Sequence, residues 1–173
     1  LAYGQFVNGG TLSLWRTMTL PDPITFNGGS VYINDLTNSL YMTGPITVTT
    51  SAAFGGSTSS TVEVSGKISG PGGVIRSGDG LCYITGDAND FTGPTVINSG
   101  KSLWLGKTVG GTGRLGAGAV TNNGTLYANS AVLGTGEVVN NAGASLYLNP
   151  ANLSAGRIVN SGTVYGTSAV QTA

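Results

Sequence analysis

A short motif that recurs along the chain is the sequence feature that most restricts its fold. The motif is Asn, one further residue and Gly, preceded in most copies by an apolar residue. Soon after the Gly come three residues: an apolar one, a middle one that is usually aromatic, and a second apolar or small one. It appears first as VNGGTLSL from residue 7, then as FNGGSVYI from residue 26 and INSGKSLWL from residue 97, and later as TNNGTLYA, NNAGASLYL and VNSGTVYG from residues 121, 140 and 159. A chain built from one small unit is expected to stack copies of that unit.

The spacing of the motif glycines gives the length of the repeat. These glycines are Gly10, Gly29, Gly100, Gly124, Gly143 and Gly162. The intervals between them are 19, 71, 24, 19 and 19 residues, and the interval of 71 fits three degenerate repeats. Such a period is typical of β-solenoids and of leucine-rich repeats, but several Leu per unit and a helical return are missing here. We therefore predict an all-β solenoid of about eight coils, one domain over residues 1–173, with regular 19-residue coils over 120–166.

The composition agrees with strands and turns and argues against several classes of function. Gly, Ser, Thr and Asn supply 83 of the 173 residues, and these are poor helix formers. The net charge is zero without a basic patch, so we expect no nucleic-acid partner, and no apolar run is long enough to span a membrane. The absence of histidine removes the usual nucleophilic pairs and zinc sites, and we predict no enzyme activity and no cofactor. The single Cys82, in an apolar run, is expected to be buried.

The asparagine of each motif predicts a ladder of side-chain amides along the solenoid. An amide side chain can bond to the same amide in the next coil, and the following glycine permits a turn with positive φ. The predicted structural ladder is Asn8, Asn27, Asn98, Asn122, Asn141 and Asn160.

The residue between the two inward positions of each repeat predicts a second, outward column. Alternation along a strand places it on the outer face of the sheet. This position is Ser13 in the first repeat and aromatic in six others, which we predict to be a contact surface: Tyr32, Tyr83, Trp104, Tyr127, Tyr147 and Tyr165. Two roles remain open for this column, since stacked rings can stiffen the sheet or provide the contact surface for a partner.

A candidate cation site is the acidic segment around residue 89. The side-chain oxygens of Asp87, Asn89 and Asp90 are of the kind that Ca²⁺ prefers. The same residues suit a solvated turn between coils, and this second interpretation is the one we adopt, so that no metal site is expected.

The segment over residues 66–106 resembles a known repeat family. It reads GKISGPGGVIRSGDGLCYITGDANDFTGPTVINSGKSLWLG, and it is similar to the autotransporter-associated β-strand repeat. Phe91 replaces a Tyr of that pattern, Pro94 replaces a Gly, and one extra residue precedes Leu103. The matching residues are Ile84, Gly86, Asn89, Phe91, Thr92, Gly93, Thr95, Asn98, Gly100 and Leu103.

The resemblance implies a right-handed parallel β-helix of the kind found in passenger domains of bacterial type V secretion, displayed outside the cell. We accordingly expect a secreted or cell-surface protein, a mature form or an excised piece. Its function would be that of an adhesin or stalk contacting a protein or glycan surface. Two alternatives stay open: a self-assembling fibre, sheath or surface-layer subunit, associating head to tail or laterally, and a polysaccharide-acting β-helix.

The predicted fold has a simple spectroscopic consequence. The far-ultraviolet circular dichroism spectrum should show a single β-type minimum, and a chelator should leave both the spectrum and the melting temperature unchanged. A helical double minimum, or a lower melting temperature after chelation, would contradict the prediction.

Overall fold

The computed structural model describes residues 4–107, 112–149, 151–152, 156–166 and 169–170. These residues form 22 strands and no helix. The first four coils have three strands each: β1 (Gln5–Asn8), β2 (Thr11–Leu14), β3 (Met18–Leu20), β4 (Ile24–Asn27), β5 (Ser30–Ile33), β6 (Ser39–Met42), β7 (Ile46–Val48), β8 (Ser51–Gly56), β9 (Thr61–Val64), β10 (Ile68–Ser69), β11 (Gly73–Arg76) and β12 (Leu81–Ile84). The remaining strands are β13 (Thr95–Ile97), β14 (Ser102–Leu105), β15 (Val120–Asn122), β16 (Thr125–Asn129), β17 (Val138–Asn140), β18 (Ser145–Asn149), β19 (Ala151–Asn152), β20 (Ile158–Asn160), β21 (Thr163–Gly166) and β22 (Ala169–Val170).

The strands stack into parallel sheets that run along the solenoid. Sheet A is β1-β4-β7-β10, sheet B is β2-β5-β8-β11-β13-β15-β17-β20, sheet C is β3-β6-β9-β12-β14-β16-β18-β21, and β19 pairs with β22. Sheets B and C each contain eight strands, one from each coil, which confirms the predicted parallel β-solenoid of about eight coils. One coil occupies from 18 residues, between Asn122 and Asn140, to 25 residues, between Ile97 and Asn122.

The core is a set of columns in which each side chain packs on its equivalent one coil away. In sheet A, Ile24, Ile46 and Ile68 are aligned and buried. In sheet C, Leu103, Leu126 and Leu146 form one buried column, while Leu105, Ala128 and Leu148 form the next. The Cys82 thiol lies in sheet C, and its burial raises its pKa to about 11, which keeps it protonated at neutral pH.

The Asn-Gly motif does not occupy one place in the solenoid, and this corrects the predicted alignment. Asn8 and Asn27 end strands of sheet A, so the strand that follows each of them belongs to sheet B. Asn122 and Asn160 end strands of sheet B, so the strand that follows belongs to sheet C. The motif is therefore used at two different corners of the coil, because both corners need a tight turn between strands.

The predicted asparagine ladder is consequently wrong as one column and is replaced by three shorter ones. In sheet A, Asn27 Nδ2 donates to Asn8 Oδ1 at 3.0 Å. In sheet B, the Asn122 amide donates to Asn140 Oδ1 at 2.7 Å, and the Asn140 amide donates to Asn160 Oδ1 at 2.8 Å. Asn140, which the sequence alignment passed over, is the central member of this column.

The two other predicted members, Asn98 and Asn141, lie outside the sheet B column, in which Asn122 and Asn140 are buried and Asn160 is exposed. Asn141 Nδ2 donates to Asn123 Oδ1 at 2.7 Å on the outer side of the corner. Asn98 is exposed, and it follows Ile97, which is the residue that aligns with Asn122. The predicted alignment took Asn141 in place of Asn140 and was therefore one residue out of phase. Adjacent asparagines point to opposite sides of the chain, so this shift moves the side chain from the inner to the outer side.

The glycines of the motif serve two structural needs. Gly143 has a φ of +80°, which a residue with a side chain rarely adopts. Gly124 has no positive φ, but a Cβ there would collide with the Lys101 carbonyl of the preceding coil. The expectation of positive φ therefore holds for some of the aligned glycines, and close approach between coils explains Gly124.

A buried arginine occupies the inner column of sheet B, which the sequence analysis did not anticipate. Arg76 is 1% exposed and lies between Phe54 and Ile97. Its Nε donates to the Ser102 carbonyl at 2.7 Å, and its Nη1 donates to the Phe54 carbonyl at 3.2 Å. Further bonds join the guanidinium to the carbonyls of Ser77 and Gly80, so backbone oxygens of three coils hold this charge.

The inward asparagine column gives a matched pair for mutation. Replacing Asn140 by Ala removes bonds to Asn122, Asn160 and the Thr163 carbonyl in the interior, and it should lower the free energy of unfolding by about 1–3 kcal/mol. Replacing Asn141 by Ala removes one partly exposed bond and should cost less than about 1 kcal/mol. Urea denaturation of both variants measures the difference, and an equal or larger loss in the Asn141 variant would contradict the assignment.

Candidate contact surface on sheet C

The outward residues at the centre of sheet C form a continuous column of aromatic rings. Strand register places each ring directly beside the ring of the next coil. We call this column the aromatic ladder, and its members are Tyr83, Trp104, Tyr127, Tyr147 and Tyr165. The prediction of an outward aromatic column is correct for these five residues.

The rings of the aromatic ladder stack almost parallel to one another. The centroids of Trp104 and Tyr127 are 4.6 Å apart, with the ring planes 9° apart. Tyr147 lies 4.6 Å from Tyr127 and 4.5 Å from Tyr165, with plane angles of 16° and 11°. Tyr83 begins the column with a ring tilted by 40°, its centroid 5.6 Å from Trp104. Because this spacing is close to the distance between strands, the sheet itself imposes the stacking.

Tyr32 was predicted in the same column and does not belong to it. It lies in β5 of sheet B, beside Ser13 of β2 and Gly55 of β8. The reason is the change of corner described above, which places the apolar–aromatic–apolar strands of the first two motifs in sheet B rather than sheet C. Ser13 and Tyr32 are therefore neighbours of each other but not of the aromatic ladder.

The sequence analysis also missed the N-terminal continuation of the ladder's column. Register aligns Tyr41 with Glu63 and Glu63 with Tyr83, so a carboxylate separates Tyr41 from the aromatic ladder. Lys107 Nζ lies 2.8 Å from Glu63 Oε2 and 5.7 Å from the centre of the Tyr83 ring. The bond to Glu63 raises the pKa of Lys107 above its ordinary value. An ion pair and a cation–π contact thus cover the Tyr83 end of the ladder.

Stacking determines which part of each ring is open to a partner. In a stacked column the ring faces are covered by the neighbouring rings, and the edges and phenol hydroxyls point outward. Tyr165, at the end of the column, is 47% exposed, while Trp104, Tyr127 and Tyr147 are each half-buried. Desolvation, followed by the nearby Tyr165 and Tyr127, raises the pKa of Tyr147, so its phenol stays protonated at neutral pH. The surface offered is a ridge of ring edges and phenol hydroxyls.

A row of small hydroxyl residues borders the aromatic ladder. Register aligns them one per coil at the start of the strands of sheet C: Ser102, Thr125, Ser145 and Thr163. These side chains are shorter than the rings beside them, so the ladder stands above a polar strip. The candidate surface is therefore flat along the solenoid axis and uncharged from Trp104 onward.

The segment with the candidate cation ligands is organised around hydrogen bonds. Asn89 is 1% exposed, and its Oδ1 accepts from the Ile68 amide at 2.7 Å. Its Nδ2 donates to the carbonyls of Gly86 and Arg114, so Asn89 joins three coils. Asp90 pairs with Lys67 at 2.6 Å, and Asp87 is exposed. Within the described ranges, no three His, Cys, Asp or Glu side chains come together as a group that could hold a metal ion.

Most of the other charged side chains also bond between coils. Lys101 pairs with Asp79 of the preceding coil. Arg157 Nε lies 2.7 Å from Glu137 Oε2. The carboxylates of Glu63, Asp79, Asp90 and Glu137 are thus each engaged with a cation from another coil.

The described part of the chain contains no helix of the length and apolarity needed to cross a membrane.

Comparison with known proteins gives no match for this chain: no protein-family model, no curated protein and no solved structure matches it. The interpretation of the contact surface therefore depends on its geometry.

Proposed function

We propose that this chain is a non-catalytic, extracellular β-solenoid that serves as a stalk or adhesive segment of a surface-displayed protein, with the aromatic ladder as its contact surface. The resemblance of residues 66–106 to the autotransporter-associated repeat supports a secreted, passenger-like setting. The observation that carries the proposal is the aromatic ladder, in which neighbouring coils align five rings on one outer face.

The geometry of the ladder favours a flat partner. A sugar ring binds an aromatic side chain through the ring face, and the faces between Trp104 and Tyr165 are occupied by neighbouring rings. Ring edges and hydroxyls at a regular spacing suit an extended protein surface, where Tyr and Trp contribute strongly to binding. We therefore propose a protein surface as the partner of the ladder.

The second candidate function is a subunit of a self-assembling fibre or sheath, with lateral association between solenoids. It is favoured by an aliphatic column on the outer face of sheet B, where half-buried side chains align from coil to coil. Its aliphatic members are Ile75, Val96, Val139 and Val159, and Thr121 occupies the position between Val96 and Val139. Polysaccharide cleavage receives no comparable support, since the carboxylates of four acidic residues are already paired with cations.

Two double variants distinguish the ladder from the aliphatic column. Replacing Trp104 and Tyr127 by Ser removes two stacked rings and should lower the free energy of unfolding by about 0.5–1.5 kcal/mol for each ring pair lost. At temperatures where the variant stays folded, beads coated with it should lose adhesion to host-cell or matrix surfaces that the parent binds. Replacing Val96 and Val139 by Ser is the matched control on sheet B and should leave adhesion intact.

Sedimentation and electron microscopy over a concentration series complete this test. Filaments or sheets formed by the parent, and lost only in the Val96/Val139 variant, would favour the fibre. Adhesion by the folded Trp104/Tyr127 variant at the level of the parent would refute the ladder as contact surface.

The proposed location can be tested on the cells that make the protein. Brief trypsin treatment of intact cells should release peptides of this chain, because a surface-displayed solenoid is accessible to the protease. A cytosolic marker protein serves as the control for lysis. Peptides that appear only after the cells are broken would contradict display at the surface.

A further inference from the structure

Two aromatic side chains in the described part of the chain stack on no other ring and are mostly exposed. Phe26, Phe54 and Phe91 lie in the core, the rings of the aromatic ladder stack on one another, and Tyr32 and Tyr41 are half-buried. Phe6 is 64% exposed and Trp15 is 71% exposed. These two residues therefore keep an open ring face.

Trp15 lies in a corner whose polar groups are held in place by hydrogen bonds. It follows β2 directly, and the equivalent corner of the next coil, residues 34–38, lies beside it through a bond from the Asn34 amide to the Leu14 carbonyl at 2.8 Å. Asn38 Nδ2 donates to the Trp15 carbonyl at 3.1 Å and to Asp35 Oδ2 at 2.9 Å. Thr17 Oγ1 donates to Asn38 Oδ1 at 3.1 Å, which fixes the Asn38 amide.

The charges of this corner have no ionic partner. Among the described residues four cations form ion pairs between coils, but Arg16 is exposed without one, and the Asp35 carboxylate accepts only from Asn38. One cation and one anion leave the corner neutral overall. A neutral corner with a donor, an acceptor and an open indole face favours an uncharged ligand that has both apolar and hydroxyl-bearing sides.

We propose that the corner formed by Trp15, Arg16, Asp35 and Asn38 is a binding site for a neutral pyranose unit of a glycan. The C–H face of the sugar packs on the indole of Trp15. Its hydroxyls donate to the Asp35 carboxylate and accept from the Arg16 guanidinium, while Asn38 positions Asp35. This site lies at a corner of the first two coils, whereas the ladder begins in the fourth coil, and it does not depend on the proposed role of the ladder. One such site binds weakly, and display of many copies on a surface would raise the apparent affinity through multivalency.

The two tryptophans allow the site to be observed directly. The indole N–H groups of Trp15 and Trp104 give two NMR signals, which the Trp104→Phe variant assigns. Titration with the methyl glycosides of glucose, galactose, mannose and N-acetylglucosamine should shift the Trp15 signal saturably with at least one sugar and leave the Trp104 signal in place. Trp15→Ala should weaken binding by about tenfold or more, as measured by saturation-transfer NMR on the sugar.

Two further variants test whether the sugar binds to a site that includes polar partners of Trp15 or to any exposed aromatic ring. Asp35→Asn removes the charged acceptor and should weaken binding several-fold with the dichroism spectrum unchanged. Phe6→Ala removes the other open aromatic face and should leave binding as in the parent. The folded Trp104/Tyr127 variant should also bind normally, which separates this site from the ladder.

The proposal is overturned if none of the four sugars gives a saturable shift up to its solubility limit. It is also overturned if folded Trp15→Ala binds as well as the parent, or if Phe6→Ala weakens binding as much as Trp15→Ala.

Discussion

Parallel, in-register hydrogen bonding between successive coils is the constraint from which the rest of this structure follows. Each strand of sheets B and C bonds to its equivalent in the next coil, so each residue type meets the residue at the same position one coil away. A position that is Leu in successive repeats becomes a buried column, and a position that is Tyr becomes a stack. The interaction that stabilises the solenoid therefore differs from one column to the next, and most contacts are made between neighbouring coils.

The corner between sheets B and C shows how in-register stacking of the coils provides hydrogen-bond partners for polar groups inside the solenoid. Asn122 donates to the Ser145 carbonyl, Asn140 to the Thr163 carbonyl and Arg76 to the Ser102 carbonyl, and each carbonyl lies at the start of the sheet C strand of the following coil. An inward donor at this corner thus bonds to a backbone carbonyl of the next coil. Because unsatisfied buried polar groups are costly, these carbonyl partners allow asparagine and even arginine to lie inside, in a column that also holds Phe54 and Ile97. The Arg76 charge is held by carbonyl oxygens, a role that composition could not indicate.

Sequence periodicity predicted the fold class, the repeat length and the five stacked rings, because these depend only on a local pattern repeated at a nearly constant interval. It failed where two corners of the coil use the same turn chemistry. Asn27 and Asn122 look alike in sequence, yet one ends a strand of sheet A and the other a strand of sheet B. That change of corner explains why Tyr32 lies away from the aromatic ladder. Asn140 replaces Asn141 in the sheet B column for a different reason, since adjacent asparagines point to opposite sides of the chain. Strand register is fixed by which face of the chain is buried, and local motifs carry little information about it.

The stacking that makes the aromatic ladder regular also limits what it can bind. Neighbouring rings 4.5–4.6 Å apart leave no space for a ligand between them, so the column gains stability from the ring faces and offers only edges and hydroxyls outward. Trp15 has the opposite arrangement, with an open face and with the Arg16 and Asp35 charges of its corner free of ionic partners. A ring that stabilises the solenoid through its face cannot also use that face for recognition. In a protein built from repeats, departures from the repeat pattern such as Trp15 are therefore the places where a small ligand can be recognised, while the regular columns suit large, flat partners.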